Sequence, residues 1–333
     1  FPVCQCFFAV LRAVYRIFCL LFLKNFQKYY PICPLFVTRR AVNKAKAIVA
    51  LLLTTFFWGI TFTIVKDAVA QVDVFVFLAQ RFLMAVVLLV PFCICRRVSL
   101  TMQTVRHGLF LGLFLFGSYA FQTMALRFTT ASNTGFLTGL SVVLVPMLGA
   151  LLFRQAVSQG IKWGVALAVP GLFLLCTNGA FALNIGDVLA AVCAVCVSLH
   201  LILTGKFARD NDVWWLTAMQ LSTVALLSLL VAEVGGHRTM VWHPGILWAL
   251  LICAVFATVF AFLVQTSMQR VLSPAHTALI FCLEPVFAAL YAFWAADERL
   301  GTLGYLGALL ILAGMVISEL APSGGSPETS TAT

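Results

Sequence analysis

Acidic residues are scarce in this chain, 11 Asp and Glu among 333 positions, and charged residues of both signs amount to only 10% of it. A soluble globule needs more polar surface than that, since charged residues usually supply about a quarter of such a chain. Also missing is any polar stretch between the apolar runs long enough to fold as a separate soluble domain. Together these deficits exclude most soluble enzymes and nucleic-acid binders. The sequence further lacks a glycine-rich phosphate loop, a paired-histidine metal motif, an aspartate cluster of the kind membrane phosphotransferases use, and a recognisable ion-selectivity element. The chain is therefore expected not to be an enzyme and to need no cofactor or metal. A membrane-embedded enzyme or a channel with no recognisable motif is the alternative.

What is present is hydrophobic: 62% of the residues, gathered into runs about one bilayer long. A spanning helix needs roughly 20 mostly apolar residues. The runs predict spans near 46–66, 74–95, 107–126, 130–152, 160–177, 186–205, 213–234, 245–268, 274–295 and 300–320. The expected fold class is an all-α integral membrane protein of ten transmembrane helices. Lipid is then its first partner, and the cell (inner) membrane its expected place.

The net charge of +10 would suggest a polyanion partner in a soluble protein. Here the cations must be read against topology. With the end before Lys46 cytoplasmic, Arg39, Arg40, Lys44, Lys46, Arg96, Arg97, Arg106, Arg154, Lys162, Lys206, Arg209 and Arg270 fall on that side. Lys66, Arg127, Arg238 and Arg299 fall on the other. Twelve cations against four place both ends of the core in the cytoplasm and leave no charge surplus asking for nucleic acid.

Of the 11 cysteines, Cys93, Cys95, Cys176, Cys193, Cys196, Cys253 and Cys282 lie inside expected spans. Cys193 and Cys196 make a CxxC with no second pair and no histidine arrangement, which favours packing over a metal or redox site. Residues 1–45 form a cationic, apolar extension in which Phe7 to Leu23 carries Arg12 and Arg16. A signal-like segment, an extra helix, an interfacial helix and a simple extension all fit it. Residues 321–333 read as a disordered tail rich in Ser, Thr, Gly and Pro.

The chain repeats itself. At an offset of 143, Gln122 meets Gln265, Thr123 meets Thr266, Arg127 meets Arg270, Thr134 meets Thr277, Gly164 meets Gly307 and Gly171 meets Gly314. At 140, Lys66 meets Lys206 and Gln80 meets Gln220. The expected units are 46–178 and 186–320. Five spans per unit is an odd number, so the second unit enters the membrane from the opposite side. Inverted repeats recur in secondary transporters, where two alike halves exchange conformations around a midplane site.

The same stretches carry a family resemblance. Phe57-Trp58-Gly59-Ile60-Thr61-Phe62 followed by Lys66, Ala79-Gln80-Arg81-Phe82, and Ser132 to Leu140 leading to Val145-Pro146 resemble three early helices of the drug/metabolite transporter superfamily, EamA branch. Ser273-Pro274-Ala275, Leu283-Glu284-Pro285-Val286 and Asp297-Glu298-Arg299-Leu300, with Gly307 and Gly314, resemble its ninth and tenth helices. The match runs in order over residues 46–320. It implies a ten-helix exporter or importer of small metabolites. With the inverted repeat and no nucleotide-binding domain, the expected function is a secondary transporter of small metabolites or drugs working by alternating access, an exporter in the first instance, as monomer or homodimer, driven by its substrate's own gradient or by protons.

Polar and aromatic side chains inside spans are the candidates for such a site. Glu284 reads as a mid-helix carboxylate and His200 as a mid-span group that titrates near neutrality. Gln122 and Gln265 are a symmetric amide pair beside Tyr119 and Phe262. Trp58, Asn133 and Ser141 complete the expected substrate-binding set. Arg81 is expected to snorkel, or to pair with Asp67 or Asp73, rather than to touch substrate.

The cation count generates a test. In a cysteine-free background, a cysteine at position 238 is expected to react with an impermeant maleimide from outside and one at position 209 is not. Labelling at 209 alone would reverse the orientation.

Overall fold

In a computed structural model, residues 44–129, 131–154, 157–177, 184–236, 244–296 and 301–320 are described. The expectations for residues 1–43 and 321–333 lie outside them. All regular structure among the described residues is helical. In hydrocarbon no water can satisfy backbone amides and carbonyls, and a helix satisfies them within one segment.

The helices in chain order are α1 (Lys44–Val69), α2 (Val74–Cys95), α3 (Met102–Ala125), α4 (Ala131–Gly139), α5 (Ser141–Phe153), α6 (Gln159–Thr177), α7 (Ile185–Phe207) and α8 (Val213–Val234). Then come α9 (Pro244–Ala254), a π-helical turn (Val255–Phe260), α10 (Ala261–Met268), α11 (Pro274–Phe281), α12 (Glu284–Ala296) and α13 (Thr302–Leu320). Eight helical stretches among the described residues are long and apolar enough to cross a membrane; 159–175 and 302–318 are shorter apolar helices. At 1.5 Å per residue, the 22 residues of α2 reach about 33 Å, the depth of a hydrocarbon core.

Side-chain caps set the starts. Asp73 accepts from the amides of Phe75 and Val76, and Asp212 accepts from those of Trp214 and Trp215. Asn184 and Asp187 form a reciprocal capping box at α7. The bundle's outside is apolar, with Leu151, Val49 and Leu309 largely exposed, as lipid contact requires. Its largest buried cluster gathers residues of α2, α8 and α9, including Phe77, Phe82 and Leu250.

Three expected spans are not simple rods. The fourth is interrupted at Leu140 between α4 and α5, and the ninth at Cys282 and Leu283 between α11 and α12. The eighth contains the π turn. Pro285 explains one interruption: lacking an amide proton, it leaves the Phe281 carbonyl without its helical partner. At Leu140 no proline is involved, and the amide there is shared between the Phe136 and Leu137 carbonyls.

The halves are related by a pseudo-twofold axis. A Cβ added at Gly164 would lie 2.8 Å from the Gly314 carbonyl oxygen, and one at Gly171 would lie 2.8 Å from that of Gly307. Exchanging repeats sends 164 to 307 and 314 to 171, so each contact becomes the other. Numbers rise along α6 as they fall along α13, which makes the pair antiparallel. Cys282 Sγ donates to the Gly139 carbonyl at 3.7 Å, and those residues are 143 apart, so each repeat touches its own equivalent where the spans break. The small residues of α3 are likewise used within the chain: Gly108 faces Met219 and Gly112 faces Thr223 of α8.

Backbone contact at the axis leaves no room for a side chain. Gly307→Leu is expected to lower the melting temperature in detergent sharply, since forcing extra methylenes into a packed contact costs about 1–3 kcal/mol or more. Gly135→Ala, whose added carbon would meet only Pro285 Cγ at 3.9 Å, should leave it nearly unchanged.

Candidate functional site

The site begins where the broken spans meet. Ser141 opens α5 and Glu284 opens α12, and these positions are also 143 apart. Sequence periodicity places Glu284 mid-helix; the structure instead puts it in the first turn of a new helix. The N-terminus of a helix carries partial positive charge, which favours a carboxylate there. Glu284 keeps partial exposure while Cys282 and Leu283 before it are buried. Ser141 is buried at the matching break, and the Asn133 side chain lies outside the described residues.

Helix α1 crosses this break closely, because a Cβ at Gly59 would sit 2.8 Å from the Glu284 carbonyl oxygen. That approach sets the neighbouring Trp58 ring 4.8 Å from Phe281 and 5.7 Å from Phe262. The indole Nε1 donates to the Ala257 carbonyl at 2.9 Å. Ala257 belongs to the π turn, whose altered bonding leaves carbonyls for side chains to use.

Arg81 uses the same turn. Its Nε donates to Thr258 Oγ1 at 2.9 Å, and Nη2 donates to the Ala257 carbonyl at 3.2 Å and to Tyr119 Oη at 3.4 Å. Its Cζ lies 4.9 Å from the Tyr119 ring centroid. Thr258 Oγ1 in turn donates to the Cys253 carbonyl five residues back, as π geometry allows. The expectation for Arg81 is therefore corrected: it neither snorkels nor pairs with Asp67 or Asp73, but is 3% exposed and forms no ion pair among the described residues. A cation buried in a span without a counter-charge is costly, and neutral acceptors offset only part of that cost. Arg81 thus lies against Tyr119 on one side of the aromatic cluster, and the Glu284 backbone lies against Gly59, next to Trp58, on another.

Of the expected residues, Trp58, Tyr119 and His200 gather on Phe262, at 5.7, 6.2 and 6.0 Å between ring centroids. His200 is buried, with Nε2 2.8 Å from Gln220 Oε1, and Gln220 Nε2 donates to Thr266 at 3.4 Å. Gln265 and Gln122 part company despite their equivalence. Gln265 is buried and donates to Gln269 Oε1 at 3.3 Å, whereas Gln122 is partly exposed. Cys193 is a buried free thiol that accepts from Thr138 at 3.9 Å. Sequence reasoning left out Arg81, Thr258, Phe281 and Gln220. A lone cation inside an otherwise uncharged 22-residue run was the signal for the first.

Comparisons with known proteins agree with this architecture. The sequence profile of the EamA-like transporter family matches residues 45–177 and again 184–320. The chain belongs to this family. An uncharacterized transporter of Archaeoglobus fulgidus is 31% identical over 279 residues, covering 84% of this chain and 87% of that protein. A probable amino-acid metabolite efflux pump of Salmonella typhimurium is 24% identical over 282 residues, covering 80% of this chain and 92% of the pump. A crystal structure with 19% identity shares the fold, with a TM-score of 0.71 over 84% of this chain and 98% of that one. This family member is accordingly a multi-pass membrane transporter.

Thr258 both receives the Arg81 proton and repairs the π turn, so Thr258→Val should lower stability by about 1–3 kcal/mol, the cost of leaving a buried donor unpaired. Thr258→Ser should restore most of it. Denaturation of the purified protein in detergent, read by tryptophan fluorescence, measures both.

Proposed function

We propose that this EamA family member is a secondary transporter that exports small metabolites or drugs across the cell membrane by alternating access, through a site between repeats 46–178 and 186–320. The observation that carries the reading is the meeting of two broken spans on the pseudo-twofold axis, with Gly139 bonded to its own equivalent Cys282 and Glu284 opening the following helix. Discontinuous helices at a repeat interface are where such carriers bind substrate. Within this reading the two shorter apolar helices complete ten spans, and both ends of the core are cytoplasmic.

The charges around the aromatic cluster suit a small zwitterion, its anionic group near Arg81 and its cationic group near Glu284, with Trp58, Tyr119 and Phe262 as walls. The name of the Salmonella relative, a probable amino-acid metabolite efflux pump, supports that class and the outward direction. A proton and a substrate ammonium cannot share the Glu284 carboxylate. Competition between them gives an exchanger, in which proton entry expels substrate.

Two measurements in proteoliposomes test this. Saturable uptake of radiolabelled amino-acid derivatives, driven by an imposed proton gradient, is expected of the unaltered chain. In Glu284→Gln, which keeps size but cannot lose a proton, gradient-driven accumulation should vanish while exchange of preloaded substrate persists. Unchanged accumulation with unchanged pH dependence would remove Glu284 from coupling.

A further inference from the structure

Two arginines that occupy the same place in the two repeats are in opposite situations. After α3, the amides of Leu126, Arg127, Phe128 and Thr129 donate to the carbonyls of Gln122, Met124, Ala125 and Ala125. After α10, the amides of Gln269, Arg270, Val271 and Leu272 donate to those of Gln265, Ser267, Met268 and Met268. Every donor and acceptor is shifted by 143, so Arg127 and Arg270 sit at one position of one turn.

Arg270 is engaged. Its Nε donates to the Ala208 carbonyl at 2.6 Å and its Nη2 to the Asn211 carbonyl at 2.5 Å, tying the α10–α11 turn to the α7–α8 turn. Burial pushes its guanidinium below the usual arginine value, and the nearby Asp212 carboxylate pulls it back. The same face is held further by Gln269, whose Nε2 donates to the Leu201 carbonyl at 2.9 Å. It is also held by Asn211, which accepts from Thr104 and contacts His107 Nδ1, both at 2.9 Å.

Arg127 is not engaged. It is exposed, and beyond the turn bond of its amide to Met124 its side chain has no hydrogen bond or ion pair among the described residues. Counted back from the helix caps, which are 139 apart where Lys66 and Lys206 or Gln80 and Gln220 match at 140, Ala208 and Asn211 stand four and one residues before Asp212; by that count the matching positions before Asp73 are Val69 and Val72. Their carbonyls, at the opposite face, accept no bond from Arg127 here. Across from them Tyr119 and Gln122 remain partly exposed, while His200 and Gln265 beneath the engaged turn are buried.

We propose that Arg270 and Arg127 are alternate latches: Arg270 holds one face shut in this conformation, and Arg127 shuts the other by seizing the carbonyls of Val69 and Val72 in the alternate one. The inference rests on the alternating-access reading. It adds what that reading lacks, the groups that stabilise each end state. A forked guanidinium can bridge two carbonyls at once, and a lysine ammonium has no such fixed fork. The Arg127 side chain holds nothing among the described residues, so an effect of changing it reports on the other conformation.

Spin-label pairs at 209 and 271 and at 70 and 128, all exposed positions matched by the offset of 143 and by the count back from the Asp212 and Asp73 caps, read the two faces in the full chain reconstituted in lipid. The unaltered protein should show a mainly short 209–271 distance and a mainly long 70–128 distance. Arg270→Gln should lengthen the first and shorten the second. Arg127→Gln should remove the minor short 70–128 population and slow proton-driven transport roughly tenfold, and Arg127→Lys should not rescue it. If Arg270→Gln fails to fold, the exposed Arg127 variant still decides the matter. Unchanged distances and transport in Arg127→Gln would overturn the latch. A 209–271 change with no answering change at 70–128 would reduce Arg270 to a local staple. Absence of transport by the unaltered chain would instead count against the alternating-access reading itself.

Discussion

The need to satisfy every backbone amide and carbonyl without water governs this molecule. Continuous helices meet it along most of the chain, so the interest lies where they fail to. The π turn at Val255–Phe260 is the clearest case. Its Ala257 carbonyl accepts hydrogen bonds from Trp58 and Arg81, and the Thr258 hydroxyl donates to the Cys253 carbonyl while accepting from Arg81. The aromatic and cationic groups of the candidate site are positioned by a defect in one helix. They are not independent of it, and changes to either are expected to reach the other.

Much of this was legible in the sequence. Hydropathy gave the helices to within a few residues, and the offsets of 143 and 140 revealed the duplication before any coordinates. Odd span number gave the inversion, which the crossed glycine contacts of α6 and α13 bear out geometrically. The interruptions were less visible. Leu140 follows the more polar stretch Ala131–Gly139 and sits between Gly139 and Ser141, residues of low helix propensity, but no proline marks the break. Of the two breaks only the one before Pro285 coincides with a residue that cannot continue the helix bonding, and even there Glu284 reads as mid-helix from the sequence.

Side-chain partners were the least legible part. Arg81 was matched with the nearest acids in sequence, since carboxylates are the usual partners of a buried guanidinium. Its real acceptors are a backbone carbonyl and a hydroxyl from a turn nearly 180 residues away. No sequence pattern distinguishes that carbonyl from its neighbours, because it becomes available only when the helix bonding slips. Gln122 and Gln265 fail to match for a different reason: equal residues in an inverted repeat occupy unequal surroundings whenever the two faces differ, as they do here.

The glycine crossing of α6 and α13 has a consequence of another sort. It is nearly the same object seen from either repeat, with a glycine carbonyl close against the facing glycine on both sides of the axis. Under exchange of the two halves such a contact maps onto itself. In the alternating access proposed above, its free energy would enter both conformations nearly equally and so largely cancel from the equilibrium between them. On that proposal such a crossing would set how much folded protein exists and have no vote in which way it faces.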